Sequence, residues 1–191
     1  MPKAANPFDY TSITEVRIAI EYTALHSEDH AARVRQQLSR DASHDRAFGF
    51  TLGLSDAWNA ISKPKAGTAP TARFTTTRSD FAANLTDLAI QHVTLMFALS
   101  DGPGLTIVVD HLRLTQKGRA PAGGGGSTTD GVLSTRRGNA SWSSLQGREP
   151  IGDWELALPN TAEARSWFSD QRITDILLVL TYSGRTPKWP E

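Results

Sequence analysis

Apolar and polar residues alternate with period two along several short stretches of the chain, as they do in half-buried β-strands. In the first stretch, 13–22, valine and isoleucine alternate with charged or small residues. The last, 173–183, is the most apolar of the chain and resembles the first in sequence. Strands are predicted at 13–22, 48–54, 71–77, 89–99, 105–114, 131–135, 140–145, 153–158 and 173–183. A Gly- and Pro-containing turn joins 89–99 to 105–114, so these two ranges predict a β-hairpin.

Helices are predicted where a capping residue opens a stretch without this alternation. Ser27 precedes two acidic residues and predicts a helix that ends near Leu38. Ser55 predicts the start of a short helix, and residues 160–163 fit a capping box for a helix that ends near Ser169.

Many short strands with two or three short helices are typical of a mainly β protein. We expect a jelly-roll-like β-sandwich, with residues 1–191 as a single domain. The glycine run 123–126 has no core-forming side chain and predicts a flexible loop at about 119–131. The sequence leaves open whether this run is a native loop or an inserted linker.

Composition and charge exclude several classes of protein. Twenty Lys and Arg residues balance twenty Asp and Glu residues, and apolar residues make up 39% of the chain. These values exclude a generally basic nucleic-acid binder and an intrinsically disordered chain. Only the stretch 111–148 is locally unbalanced, with six basic residues against a single acid, Asp130.

The chain has no cysteine, which excludes disulfides, thiolate metal sites and cysteine nucleophiles. Its longest apolar run, 176–180, is far shorter than a membrane-spanning helix requires. The N-terminus lacks the apolar core of a secretory signal, so no targeting segment is predicted and the sequence gives no localisation.

The five histidines do not form a recognisable metal or catalytic motif. His26 and His30 have the i, i+4 spacing of a helical zinc site, but no glutamate or third ligand accompanies them. His92 and His111 lie within predicted strands without a motif around them.

The carboxylates suggest no acid–base pair either. Asp110 and His111 are neighbours on a strand and are expected to point to opposite faces. Asp153 and Glu155 share a face, and we interpret them as an outward polar edge with Trp154 turned inward. Nucleophile-elbow and phosphate-loop motifs are absent from the sequence, so we predict a protein without catalytic residues, metal or cofactor.

Two binding alternatives remain open at this point. Arg136 and Arg137 lie near Trp142 in the sequence, which is a weak indication of nucleic-acid binding. Exposed tryptophans can also form a platform for a sugar ring, and glycan binding would use Trp142 and Trp58, which lie next to predicted loops or turns.

Both ends of the chain resemble the C-terminal region of the TcA subunits of bacterial Tc toxin complexes. The opening stretch carries a proline at position 2, Phe-Asp-Tyr at 8–10, Thr-Glu at 14–15 and Tyr-Thr-Ala at 22–24, followed by a predicted helix, as in that family. The closing stretch carries Trp-Glu-Leu at 154–156 and the strand 173–182, which are also similar. The glycine-rich stretch 111–140 matches nothing in the family.

The resemblance implies a β-sandwich that docks TcB, the subunit that encloses the toxic payload together with TcC. It also implies a place in a bacterial extracellular toxin assembly. The first hypothesis is therefore a non-catalytic protein-interaction module whose partner is a TcB-like subunit, with strand 173–183 as a candidate contact. The alternatives are a carbohydrate-binding sandwich and a purely structural domain of a multimer.

Overall fold

The computed structural model describes residues 19–21, 23, 27–100, 104–138 and 140–188. The chain divides into two units, residues 1–38 with residue 191, and residues 39–190. The predicted strand 13–22 lies largely outside the described residues, and a single domain over the whole chain stays a prediction.

The first unit contains helix α1 (Glu28–Gln37) in its described part. Ser27 caps the helix as predicted, because its Oγ accepts a hydrogen bond from the backbone N–H of His30 at 3.3 Å.

The described part of the second unit contains eight strands in two antiparallel sheets of four. The strands are β1 (Asp41–Gly49), β2 (Thr71–Thr76), β3 (Thr86–Leu99), β4 (Val108–Thr115), β5 (Ala122–Ser127), β6 (Val132–Ser134), β7 (Gly152–Ala157) and β8 (Ile173–Arg185). Sheet A has the order β1-β8-β3-β6, and sheet B has the order β2-β7-β4-β5. This is the strand order of a jelly roll, so the predicted mainly β sandwich is confirmed.

The core lies between the two sheets and is rich in aromatic rings. Phe48 of sheet A lies 6.4 Å from Phe74 of sheet B between ring centroids, and Phe74 stacks on Trp154 at 6.2 Å. The buried indole N–H of Trp154 donates to Thr76 Oγ1 at 3.0 Å, and that hydroxyl donates to the carbonyl oxygen of Pro150 at 2.6 Å. The polar atoms of Trp154 and Thr76 are therefore paired, as burial requires.

Four short α-helices and three 3₁₀ segments complete the described part of the chain. Besides α1 they are α2 (Phe50–Gly53), α3 (Ser55–Ser62) and α4 (Ala162–Ser169), with 3₁₀ segments at Arg78–Asp80, Thr135–Arg137 and Ala140–Leu145. The helix predicted from the capping box 160–163 is confirmed, but its cap is Thr161 rather than Asn160, because Thr161 Oγ1 accepts from the N–H of Ala164 at 3.1 Å. The cap of α3 is Leu54 rather than Ser55, without a side-chain bond. No helix among the described residues is both long enough and apolar enough to cross a membrane.

Two predicted strands are wrong, because short apolar runs fit more than one periodicity. In the range 48–54 the strand ends at Gly49, and the helical turn α2 buries Phe50 while leaving Leu52 95% exposed. The range 140–145 is a 3₁₀ segment that buries Trp142 and Leu145. Residues three apart share a face in a 3₁₀ helix, which explains this pattern.

The predicted hairpin of 89–99 with 105–114 is also wrong. Strand β3 belongs to sheet A, whereas β4 belongs to sheet B, so the chain crosses between the sheets instead of turning back on itself. Both ranges do contain strands, but the pattern of a single strand does not reveal its partner. Part of the predicted turn, residues 101–103, lies outside the described residues.

The glycine run does not form an irregular loop: Ala122–Ser127 is strand β5, at the edge of sheet B. A Cβ at Gly123 would lie 1.9 Å from the carbonyl oxygen of Leu112, and one at Gly125 would lie 2.3 Å from that of Asp110. Real side chains do not approach backbone atoms so closely. The glycines let β5 pack against β4 where a β-bulge interrupts their pairing.

Candidate docking surfaces

The outer face of sheet A carries apolar side chains on all four strands. We call this set the apolar stripe: Ala47, Met96, Val132, Leu177 and Val179. In the strand register Leu177 lies opposite Met96, Met96 lies opposite Val132, and Val179 lies opposite Ala47. Met96 is 40% exposed, Ala47 is exposed and the other three are half-buried. Apolar side chains that extend across a whole sheet face are typical of surfaces that another protein covers.

Polar residues bound the stripe at both ends. At one end the hydroxyl of Thr181 donates to Asp45 Oδ1 at 2.5 Å and accepts from the Arg136 guanidinium at 3.2 Å. Next to it, His92 lies 3.4 Å from the hydroxyl of Thr135. At the other end Asp175 accepts the backbone N–H of Thr51 at 3.0 Å. An apolar centre with a polar border is the usual arrangement of a protein interface.

The outer face of sheet B is built differently, from charged residues that are mostly paired with each other. We call this set the ionic grid: Arg73, Asp110, His111, Arg113, Asp153 and Glu155. Glu155 is at its centre, with Arg73 Nε at 2.6 Å, His111 Nε2 at 2.7 Å and Arg113 at 4.0 Å. The strand register explains this convergence, because Glu155 of β7 lies opposite Arg73 of β2 and Arg113 of β4.

These neighbours lower the pKa of Glu155 below its ordinary value of 4.5. The hydrogen bond from His111 is the largest cause; partial burial opposes it, and the hydrogen bond and charge of Arg73 add to it. The carboxylate is thus ionised and fully engaged inside the grid.

Two predictions about these carboxylates have different outcomes. Asp153 and Glu155 do face outward while Trp154 is buried, as expected. The expected opposite orientation of Asp110 and His111 is wrong, because their side chains lie 3.3 Å apart. The bulge in β4 turns both toward the outer face. Sequence periodicity alone could not locate this bulge.

The outer edge of β5 is bonded to another segment of the chain. At the β5 edge, Ser141 Oγ donates to the carbonyl oxygen of Gly125, and Trp142 Nε1 donates to that of Gly124 at 2.6 Å. The N–H of Gly123 in turn donates to Ser144 Oγ at 2.9 Å. The 3₁₀ segment Ala140–Leu145 therefore satisfies the edge of β5.

Strand β8 is not an edge at all. It pairs with β1 on one side and with β3 on the other. Strand 173–183 therefore cannot offer main-chain groups to a partner, although Leu177 and Val179 contribute side chains to the stripe.

The prediction that Trp142 forms part of a platform for a sugar ring is wrong. This ring is fully buried, and its N–H is bound to Gly124, so no sugar can stack on it. Trp58 is half-buried and packs edge-to-face on Phe168 at 5.8 Å, beside an open groove of about 760 Å³. The two tryptophans form no common platform.

The remaining candidates of the sequence do not form a site in the described residues. His26 lies outside them, and no group of three metal-ligating side chains is found among them. The basic stretch is divided between surfaces: Arg136 lies at the stripe, Arg113 in the grid, and Arg148 binds the carbonyl oxygen of Ala120 at 3.1 Å.

The stripe was missed because β8 is apolar on both faces. Ile176, Leu178 and Leu180 are buried between the sheets, while Leu177 and Val179 face outward. The continuous run 176–180 was the available signal, since it fits a strand covered on both faces.

The comparisons with known proteins concern the fold. No protein-family model and no curated protein sequence matches the chain. A solved structure of Yersinia pseudotuberculosis TcaA-TcaB is similar over 83% of this chain, with a TM-score of 0.50 and 14% identity. A Turnip yellow mosaic virus structure matches over 94% of this chain and 93% of the viral chain at 13% identity, but its TM-score of 0.33 is too low to support a conclusion.

The chain spans only 11% of the length of the Yersinia chain. At 14% identity the likeness shows the fold, and it gives weak support to the resemblance to a Tc toxin subunit region that the sequence suggested.

Proposed function

We propose that this chain is a non-catalytic module that docks a protein subunit, a TcB-like partner, through the apolar stripe on sheet A. The observation that carries the proposal is the stripe itself, because it crosses the four strands of sheet A and because Met96 and Ala47 in it are exposed in the described part of the chain. The structural likeness to a Tc toxin subunit supports this reading over other kinds of partner.

The physical basis of the docking is burial of the stripe. Each apolar side chain removed from water contributes to affinity, and Met96 is suited to a contact surface because its flexible thioether adapts to the partner. The polar residues at both ends, Asp45, Arg136 and Asp175, would orient the partner rather than supply most of the affinity.

The test is co-elution on a sizing column with a TcB–TcC assembly, using the whole chain and two variants. Met96→Glu places a charge in the middle of the stripe, and we expect it to weaken binding by about tenfold or more. Val108→Glu is the matched control, since Val108 is 43% exposed, close to the 40% of Met96, but lies on sheet B.

Thermal unfolding of each variant verifies that it is folded. The proposal is wrong if the wild-type chain elutes apart from the assembly, or if Met96→Glu binds as tightly as Val108→Glu. Turnover of a substrate by the purified chain would contradict its non-catalytic character.

A further inference from the structure

We propose that the outer edge of β1 receives an extended segment of the docked partner as a fifth strand of sheet A, with a basic side chain opposite Asp45. The inference rests on the proposed function, because the segment belongs to the same partner. Beyond the proposed function, the inference specifies where the main chain of the partner pairs with sheet A and which charge the partner segment carries.

The first step is the direction of the main-chain groups of β1. The N–H of Thr186 donates to the carbonyl oxygen of Arg40 at 2.8 Å, directly beyond the first β1–β8 pair. Hydrogen-bonded pairs alternate along an antiparallel ladder, so the next bonded pairs are those of Ala42, His44 and Arg46. The N–H and C=O groups of the residues between them point away from β8.

The outward groups are those of Ser43, Asp45 and Ala47, which are exposed residues. Gly49 fits the same alternation, because its carbonyl oxygen accepts the N–H of Leu54 outside the ladder at 3.2 Å. Within the described part of the chain, no strand lies beyond β1 in sheet A. Three consecutive outward residues can form the repeated pairs of main-chain bonds by which a strand is added to a sheet.

The second step is the contrast with the other edges. The edge of β5 is satisfied by Ser141, Trp142 and Ser144, whereas β6 has only three residues. With nine residues and no bulge in its pairing with β8, β1 is the longest of the four edge strands among the described residues. Long, regular edges are those on which strand addition occurs.

The third step identifies the chemistry of the added strand. Ser43, Asp45 and Ala47 have their side chains on the outer face of sheet A, so an added strand continues that face. Ala47 belongs to the apolar stripe, which favours an apolar residue beside it. Among the described residues, the Asp45 carboxylate accepts from the hydroxyl of Thr181, which itself accepts from the Arg136 guanidinium at 3.2 Å, and it forms no direct ion pair. The charge of Asp45 therefore favours a basic residue opposite it.

Self-pairing of two copies is disfavoured by the same charge. An antiparallel pair of β1 strands in full overlap would place Asp45 opposite Asp45, and like charges directly opposite destabilise a sheet. The occupant is therefore a different chain with the complementary charge.

The experiment is residue-resolved amide hydrogen exchange by NMR on the whole chain. The probes are nine-residue peptides of alternating threonine and valine, one with a central lysine and one with a central glutamate. A third peptide has the lysine sequence but alternate amides N-methylated, which removes its donors to the edge.

In the free protein we expect fast exchange at Ser43, Asp45 and Ala47 and slow exchange at Ala42, His44 and Arg46. The lysine peptide should slow the three fast amides by about tenfold or more at saturation. The N-methylated peptide should leave them unchanged, which separates strand addition from non-specific binding.

The charge is tested with Asp45→Asn. The lysine peptide should bind wild-type protein about two- to fivefold more tightly than the glutamate peptide, as expected for a cross-strand ion pair. In the variant the two peptides should bind equally, while the pattern of protected amides remains.

Each other outcome overturns the inference. Slow exchange at Ser43, Asp45 and Ala47 in the free protein means that the chain itself occupies the edge, and protection that grows with protein concentration means a second copy. No protection by the lysine peptide excludes strand addition.

The same amides measured in a co-eluting TcB–TcC complex separate the two proposals. Binding with fast β1 amides keeps the docking function and overturns the strand addition. Protection by the peptide without co-elution keeps the strand addition and overturns the choice of partner.

Discussion

The two outer faces of this sandwich differ in whether their outward side chains have partners within the chain. On sheet B, Glu155 is held by Arg73 and His111 at 2.6 and 2.7 Å, so the charges of the ionic grid are largely satisfied within the chain. On sheet A, Met96 and its neighbours in the apolar stripe face outward without such partners in sheet A.

The edges repeat this difference. The edge of β5 in sheet B is bonded to a 3₁₀ segment, whereas no strand of the described part of the chain pairs with the outward groups of β1 in sheet A. A face whose polar groups are paired within the chain contributes to the stability of the fold. A face with exposed apolar side chains and unpaired main-chain groups is available for binding. The comparison therefore predicts large stability effects on the sheet B side and binding effects without stability loss on the sheet A side.

The largest expected effect is that of Gly125→Val. A Cβ at this position would lie 2.3 Å from the carbonyl oxygen of Asp110 and 2.7 Å from that of Val109. Either β5 separates from β4 or the bulge is lost, and we expect the free energy of unfolding to fall by about 3 kcal/mol. Urea unfolding measures it.

Gly53→Ala is the matched control, since nothing lies within 4 Å of a Cβ there and the residue is in helix α2. We expect it to keep or slightly raise the stability. If Gly125→Val is as stable as this control, β5 does not pack against β4 as described.

A smaller effect, with a distinct pH dependence, is expected for Glu155→Gln. The pKa of Glu155 is lowered in the folded protein, so the ionised carboxylate stabilises the fold above pH 4.5 and this contribution is lost as the pH falls through the folded pKa. At pH 7 we expect the variant to lose about 1 kcal/mol. The difference between wild type and variant should shrink as unfolding is measured at successively lower pH below 4.5.

Asp153→Asn provides the control for this prediction. Asp153 is on the same strand, and within the described residues its carboxylate accepts a single hydrogen bond, from the hydroxyl of Thr75 at 2.7 Å, which asparagine can keep. A wild-type advantage over Glu155→Gln that is independent of pH would show that the grid does not act through the ionised carboxylate.

Local signals predicted most elements of this fold. Alternation located β2, β3, β7 and β8, and the capping signals at Ser27 and at 160–163 located α1 and α4. These signals depend on residues a few positions apart, which is why the sequence reveals them. The sandwich followed from the number of short strands.

Long-range pairing could not be predicted in the same way. The adjacent ranges of β3 and β4 gave a false hairpin, since strand order is decided by contacts between distant segments. The composition of the glycine run predicts a loop, although its lack of side chains is what lets β5 approach Leu112 and Asp110. Both errors concern a partner strand that no local pattern identifies.

The candidate site was predicted even less well, for the same reason. The sequence favours Trp142 as an exposed aromatic residue, whereas its ring is buried at the β5 edge. No sequence pattern points to Met96 and Val132, because only the pairing of β3 with β6 brings them together. An interface residue is recognised by its exposure in the folded chain, and the sequence contains no direct signal of this exposure.

The smallest expected effect tests the sheet A side directly. Met96→Gln should change the free energy of unfolding by less than about 0.5 kcal/mol, because an exposed side chain contributes little to the folded state. Its neighbour in β3 is the internal reference: Leu95 points into the core and is fully buried, so Leu95→Ala should cost about 2–5 kcal/mol. Adjacent residues of one strand would thus differ severalfold in their effect on urea unfolding. A loss at Met96 comparable to that at Leu95 would mean that the chain itself covers the stripe, and the stripe would then be part of a core and could not be a docking surface.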